Sequence, residues 1–280
     1  MTAPTKDAFD TLSRKWDEQL ELWKTNPYDK SLYEGEVRFV SENAPQPGTV
    51  VELGCGWDPY FELVKQGHKL LAMDFSCESL KKVQVRMEGM DLICADANNV
   101  PARDLCADLV IATDELICCD TVDPLKMLSE AYRLLRPGGL LILEYDTKWC
   151  LDTLWMLVDS LIGNRIGYEV TRCEVKRLFA RHEGGPVKWG LPGSEETLTV
   201  TLFTHESMHR MLRRVGFKVL SQRGILILAG IVPTVVQQKT SNKLLIALAS
   251  LLATVDRFVG ELPVLNRLGG DTLILAQRPR

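Results

Sequence analysis

The sequence predicts an α/β fold: a mostly parallel open sheet with helices on both faces. Three observations carry this expectation. Short β-branched or aliphatic runs alternate with helix-length segments from residue 49 to residue 148. A glycine-containing turn, Gly54-Cys55-Gly56, directly follows the first of those runs. Arg136-Pro137-Gly138-Gly139 then separates a helix from the strand after it, because proline stops a helix and glycine accepts positive φ.

Residues Lys6 to Val40 space Phe9, Leu12, Trp16, Leu20, Leu22 and Trp23 among charges as a one-faced helix does, with a break at Asn26-Pro27. Residues 1–48 therefore read as an N-terminal helical cover. Thr49 to Leu53 reads as a buried strand, and a helix is expected from Pro59 with Asp58 as its cap. Strands at Lys69–Met73, Asp91–Cys94, Asp108–Ala112 and Leu140–Tyr145, with helices at Glu78–Met87 and Pro124–Leu135, complete a core over 49–148. Residues 149–203, which hold Trp149, Trp155, Tyr168, Phe179 and Trp189, read as a lid. The C-terminal part, 204–280, returns to the core with a helix from Thr204 and strands at Phe217–Leu228 and Thr272–Ala276, around a second insertion at 229–270.

The 280 residues, 46% hydrophobic and 25% charged, suffice for a full core and exclude a fibrous or disordered chain. A net charge of −4 argues against a dedicated nucleic-acid surface. The eight cysteines (Cys55, Cys77, Cys94, Cys106, Cys118, Cys119, Cys150, Cys173) form no C-x-x-C pair and read as reduced thiols of a cytoplasmic protein. Met1 to Asp10 lacks the apolar core of a signal peptide. Gly224–Val236 and Leu244–Thr254 fall short of the roughly 20 residues that cross a bilayer. The apolar helix at 243–258 reads either as buried or as resting peripherally on a membrane or shaping a lipid tunnel.

The sharpest local signal is Glu52-Leu53-Gly54-Cys55-Gly56-Trp57-Asp58-Pro59. Its glycines let the backbone turn and approach a ligand at the carboxyl end of the first strand, where open α/β sheets bind ligands. A dinucleotide fingerprint would need glycine where Pro59 stands, and Asp58 would repel its phosphate, so a phosphate-free cationic ligand fits better. Asp74 lies 22 residues beyond Glu52, close to the spacing at which an acid reaches a ribose diol. Asp96 follows the third strand, where it can accept from an adenine amino group. Each acid alone is as readily a cap or turn residue, but three at the ends of consecutive strands face one crevice.

These motifs resemble the class I S-adenosylmethionine-dependent methyltransferases. The likeness runs through Val51 to Gly56, Met73-Asp74-Phe75-Ser76, Asp91 to Ala97, Ala107 to Val110 and Arg133 to Gly139. Phe9-Asp10 to Trp16-Asp17 also looks like the entry helix of the quinone- and sterol-type small-molecule branch. The resemblance implies a Rossmann-like sheet and S-adenosyl-L-methionine as cofactor. It implies that Gly54 and Gly56 line the methionine part, Asp74 the ribose, Asp96 and Ala97 the adenine, and Thr113 the wall beneath the sulfonium. Glu52, Cys55, Trp57 and Phe75 complete the implied cofactor-binding set. Asp58 departs from the family, which often has a third glycine there. The implied reaction is in-line methyl transfer to an acceptor nucleophile, a matter of positioning and desolvation. If the acceptor must lose a proton, Asp114 is the first candidate base, ahead of Glu115, Tyr145, Asp146 and His182. The expected acceptor is a small hydrophobic or aromatic molecule: a lipid, quinone or isoprenoid-like compound. A noncatalytic cofactor-binding relative is the alternative.

Other motifs have plainer readings. Cys118-Cys119 reads as two small buried side chains, or as soft-metal ligands if Cys150 or Cys173 converge on them. His205-Glu206-Ser207-Met208-His209 matches the zinc-hydrolase pattern H-E-x-x-H, but Leu212 occupies the extended motif's glycine position. Thr204 caps an ordinary helix there, with Met208, Met211, Leu212 and Val215 inward. Arg165, Arg172, Lys176, Arg177 and Arg181 alternate with acids as on a solvated helix face, or clamp an anionic acceptor.

Overall fold

A computed structural model describes residues 26–86, 90–190 and 197–280. The expected helix over residues 6–25, with its family-like entry segment, lies outside the described residues. The first described helix, α1 (Pro27–Asn43), begins where the sequence suggested a break. Asn26 caps it by accepting the Asp29 N–H at 3.0 Å, and Pro27 occupies the first turn, where its missing N–H costs nothing.

The core follows in the order β1 (Thr49–Leu53), α2 (Phe61–Lys65), β2 (Lys69–Asp74), α3 (Cys77–Arg86), β3 (Asp91–Cys94), β4 (Ala107–Ala112), α4 (Pro124–Leu134) and β5 (Leu135–Asp146). Two later strands, β8 (Lys218–Ile225) and β9 (Asp271–Gln277), complete a seven-stranded sheet of order β3-β2-β1-β4-β5-β9-β8. Strands β1 to β5 pair in parallel, whereas β9 runs antiparallel to both neighbours. The strand order reverses between β1 and β4, and there the connections diverge to leave a crevice above the carboxyl ends.

Alternation along the strands builds two apolar layers. Val50, Leu109, Ile111 and Ile142 face α1 to α3. Val51, Val110, Leu141 and Leu143 face α4 and α7 (His205–Val215). Strands buried on both faces read as continuous apolar runs, and these do. Helix α4 starts at Asp123, whose carboxylate accepts the Leu125 and Lys126 N–H groups. Helix α7 has the Thr204 cap expected from the sequence and ends at Gly216, which has a φ of +113°. It buries Met208 and Leu212 completely.

Three expectations need correction. Helix α2 starts at Phe61, two residues late, with Tyr60 at its cap position; Asp58 instead pairs with Arg86 at 3.5 Å. The 136–139 segment is part of β5, which starts at Leu135: Leu135 pairs with Ala107 and Leu140 with Leu109, so the proline and glycines bulge out of β5 opposite a single residue of β4. Two of the cysteines expected to be reduced, Cys77 and Cys94, form a disulfide with a Cα–Cα distance of 5.5 Å. Asp74 pairs in register with Cys94, so the turn after β2 brings Cys77 back over the end of β3, a proximity that cysteine spacing alone does not reveal.

The segment 149–203, expected to form a lid, holds α5 (Leu151–Ile162), α6 (Arg172–Ala180) and a two-stranded sheet of β6 (Gly184–Gly190) and β7 (Thr197–Phe203). Bridges from Cys119 to Val200 and from Thr147 to Phe203 set it against the carboxyl ends of β4 and β5. Its basic residues face solvent, and Arg172 also donates to the Ser160 and Leu161 carbonyls at the end of α5. The second insertion holds α8 (Thr234–Lys239) and α9 (Lys243–Val259). Helix α9 inverts the usual amphipathic rule. Ala249, Ala253 and Asp256 turn inward, while Leu244 (81% exposed), Leu248, Leu251, Val255 and Phe258 (76% exposed) face outward. Asp256 anchors it by accepting the Leu228 and Ala229 N–H groups at 2.7 and 3.0 Å. Among the described residues no helix is long and apolar enough to cross a membrane.

Candidate functional site

The crevice starts with the turn after β1. Gly54 has a φ of +70°, and a Cβ there would lie 2.8 Å from Leu116 Cδ1, so a side chain would strain the backbone and have to push Leu116 aside. Gly56 has a φ of +55°, yet a Cβ there would meet nothing within 4 Å. That open space beside exposed backbone is what a closely approaching ligand needs. Between them Cys55 is buried and donates its N–H to the Met73 carbonyl at 2.9 Å, while Trp57 is half-buried in the same turn.

Asp74 ends β2 and is buried. Its Oδ2 accepts the Gly56 N–H at 2.9 Å and its Oδ1 the Ser76 N–H at 2.7 Å, locking the β1 and β2 turns together. Phe75 lies half-buried beside it. Asp96 Oδ1 accepts from the Asn98 backbone and side chain, both at 2.8 Å, and Asn98 in turn reaches the Thr121 carbonyl. Ala97 is buried next to it. Glu52, Asp74 and Asp96 thus stand at the ends of three adjacent parallel strands, as their sequence positions implied.

Glu52 is buried and accepts the Tyr60 N–H at 3.1 Å. The Tyr60 hydroxyl lies 3.0 Å from Thr113 Oγ1 and donates to Glu36 Oε2 at 3.3 Å. Tyr60 therefore ties the glycine turn, the end of β4 and helix α1 into one wall. Sequence reasoning missed both Tyr60 and Glu36, since neither belongs to a motif and only the packing of α1 over the crevice brings them in.

After Thr113 the chain takes a left-handed path at two successive residues, Asp114 (φ 53°) and Glu115 (φ 58°). Non-glycine residues adopt this conformation at a cost that functional sites often bear. Asp114 is exposed at the mouth of the crevice, yet the atoms crowded around its carboxyl desolvate it in part and, with the charges of Asp58 and Asp74, push it up to about 6. Burial pushes Glu115 to about 8, with Asp271 and Asp114 next in effect. Glu36, Glu52, Glu144 and Asp146 are held well above the ordinary carboxylate range, again chiefly by burial. A band of desolvated acids therefore runs along the carboxyl edge from Glu52 to Asp271. The part of this band beside the glycine turn, Glu52 and Asp74, suits the positively charged sulfonium and ammonium of S-adenosylmethionine, and the turn leaves the room that the group requires.

Of the other candidates, Tyr145 is wholly buried against Phe203, and His182 is exposed. Cys118 is buried and its sulfur accepts the Asp146 N–H at 3.2 Å, matching the reading of a small packed side chain. Among the described residues, the group of side chains able to hold a metal contains no cysteine and no histidine. His205 and His209 stack with ring centroids 3.9 Å apart, His209 bonds Gln222 at 3.1 Å, and Glu206 turns to Arg210. No third ligand joins them among the described residues, so the zinc-hydrolase pattern is not completed.

Comparison with known proteins agrees with this geometry. Residues 51–143 match a family model described as a methyltransferase domain. The chain is 31% identical over 242 residues to the ubiquinone/menaquinone biosynthesis C-methyltransferase UbiE of Acidiphilium cryptum, covering 79% of this chain and 85% of that one. It is 29% identical over 115 residues to a malonyl-[acyl-carrier protein] O-methyltransferase of Hamiltonella defensa, covering 40% of this chain and 44% of the other. The chain spans less than half the length of the first curated relatives it matches. An S-adenosylmethionine-dependent methyltransferase from Mesorhizobium loti shares the fold with a TM-score of 0.56 at 16% identity, over 86% of this chain and 96% of that one. Together these place the chain in a family: it belongs to the class I S-adenosylmethionine-dependent methyltransferases.

Proposed function

We propose that the protein transfers a methyl group from S-adenosyl-L-methionine to a small, hydrophobic or aromatic acceptor of lipid, quinone or isoprenoid-like character. The observation that carries this is the crevice between β1 and β4, open at Gly56 and walled by acids on a sheet of family topology. The likeness to a quinone-modifying C-methyltransferase along most of both chains supports the acceptor class. In this reading Gly54, Cys55, Gly56, Trp57 and Glu52 surround the methionine part, Asp74 and Phe75 the ribose, Asp96 and Ala97 the adenine, and Thr113 the sulfonium wall. The bound cofactor supplies an electrophilic methyl group. Asp114 serves as the base where the acceptor must lose a proton, since a carboxyl pushed up to about 6 is matched to proton transfer near neutrality. Tyr60 positions Thr113 and Glu36 from behind.

The outward apolar face of α9 supports a second element of the reading, peripheral contact with a membrane or lipid surface that delivers the acceptor. Calorimetric titration with S-adenosylmethionine and S-adenosylhomocysteine tests the cofactor site. Radiolabelled methyl transfer to a panel of prenylated phenols, quinols and fatty acyl carriers tests the acceptor. Cofactor binding without transfer to any of them would favour a noncatalytic role, and no cofactor binding at all would sink the proposal.

A further inference from the structure

Three acids stand apart from the cofactor-side wall. Glu115 follows β4, Asp146 ends β5 and Asp271 begins β9, neighbouring strands on the same edge of the sheet. One oxygen from each lies within 4.8 Å of the other two. Asp271 is 2% exposed and Asp146 9% exposed. Asp146 and Asp271 hydrogen-bond each other through their side chains, and Asp146 Oδ1 and Asp271 Oδ2 are buried with no further donor among the described residues. The charged neighbours that act on the three most strongly are other acids, among them Asp114, Glu144 and Asp152. Buried carboxyl oxygens that find only one another among the described residues are costly, so either shared protons or a bound cation must offset them.

We propose that Glu115, Asp146 and Asp271 form a binding site for a divalent, oxygen-preferring cation, with Ca2+ the best-sized occupant. Carboxylate oxygen is the ligand of hard cations, and the absence of sulfur and imidazole from the cluster turns the site away from zinc and copper. Oxygens at the outer limit of 4.8 Å from one another stand about 2.8 Å from their common centre, so a small inward rotation of the side chains brings them into the Ca2+–O range of about 2.3–2.6 Å, and Mn2+ or Mg2+ needs a larger one. Three protein ligands satisfy only part of a coordination shell of about six to eight. The remaining positions face a small cleft of about 30 Å³, walled on its apolar side by Tyr28, Met156 and Leu202. Waters fill those positions in the resting protein, and an oxygen of a bound molecule can replace them. The three residues keep a backbone route to the cofactor wall, because the Glu115 N–H donates to Glu144 Oε2 at 3.2 Å.

The site stands independently of the methyltransferase reading, since it is detected by metal binding and not by turnover. Equilibrium dialysis with Ca2+, and electron paramagnetic resonance with Mn2+, on the full chain without cofactor are expected to give one ion per chain, the two ions competing. Asp146→Asn and Asp271→Asn keep shape while removing charge, and each should weaken binding about tenfold or more. Asp96→Asn, an acid outside the cluster, should leave it unchanged. Added Ca2+ should raise the melting temperature of wild type and not of Asp271→Asn, a readout that needs no activity. Failure of wild type to bind either ion up to about 1 mM, the weak end of carboxylate sites, overturns the proposal. Equal binding in wild type and both cluster variants overturns it as well, and if one variant does not fold, the other and the wild-type stoichiometry decide.

Discussion

Asp74 and Asp146 end parallel strands on either side of the crevice and are comparably buried, yet their surroundings differ in kind. Asp74 accepts two backbone N–H groups, whereas Asp146 leaves Oδ1 without a donor. The contrast extends to whole halves of the edge. On the β1–β3 side, Glu52, Asp74 and Asp96 all accept hydrogen bonds from nearby turns, and a disulfide ties the end of β3 to the start of α3. On the β4–β5–β9 side, Glu144, Asp146 and Asp271 each keep a buried oxygen unpaired. One half is completed by its own backbone; the other needs something from outside, a proton, a cation or a ligand.

The largest expected effect tests the completed half. Asp74→Ala removes two charge-assisted bonds, each worth about 1.5–3 kcal/mol, so affinity for S-adenosylhomocysteine should fall about 100-fold or more by calorimetry. Asp96→Ala, whose carboxylate holds only Asn98, should lose about tenfold. If a well-folded Asp74→Ala bound as tightly as wild type, the backbone locking would be irrelevant to the cofactor.

Next comes the covalent tie. Opening a bridge between residues 17 apart restores chain entropy to the unfolded state and should cost about 3 kcal/mol in denaturant unfolding. Thiol titration in denaturant should count six groups before reduction and eight after. Eight before reduction would remove the disulfide from the comparison. Within the same half, the two turn glycines should separate. Gly54→Ala meets both the left-handed backbone penalty of about 1–2 kcal/mol and Leu116, so it should be the more destabilising by about 1 kcal/mol. Gly56→Ala has only the backbone penalty, and its Cβ enters the open space, so its main readout is cofactor affinity. Equal unfolding losses would mean that Leu116 moves aside freely.

What the sequence revealed divides along the same line. Glu52, Gly54, Gly56, Asp74 and Asp96 are legible because each sits within a few residues of a strand end, and strand ends are marked by β-branched runs and glycine. Tyr60, Glu36, Glu144 and Asp271 are not, because they meet only after α1 packs on the sheet, 24 positions separating Glu36 from Tyr60, and β9 inserts beside β5, where 271 − 146 = 125 positions separate Asp271 from Asp146. Asp146 was named as a candidate base but not as a neighbour of Asp271. Helix α9 shows the same limit, since its period gave a helix and its sidedness depended on which partner it met. The 136–139 segment differs for a local reason: proline and glycine signal a turn, and these four residues bulge out of β5 opposite a single residue of β4 while the strand continues.

The smallest expected effect tests an unpaired oxygen where the two halves meet, at a residue outside the proposed cation ligands. Glu36 is buried, its Oε1 accepts nothing, and burial together with Glu144 and Asp114 holds its carboxyl well above the ordinary value of 4.5. A raised folded-state value means that the native protein retains a proton which the unfolded chain releases. Its contribution is therefore fully present below the ordinary carboxylate value and is lost as pH rises toward the folded value. Glu36→Gln keeps an acceptor for the Tyr60 hydroxyl and gives its new N–H groups neighbouring carboxyls to bond, while carrying no charge to desolvate. The variant should match wild type near pH 4 and exceed it by about 1 kcal/mol near pH 8 in urea unfolding. A parallel pH dependence in the two proteins would mean that Glu36 already has a counter-charge, and the contrast between the two halves of the edge would then rest on Asp146 and Asp271 alone.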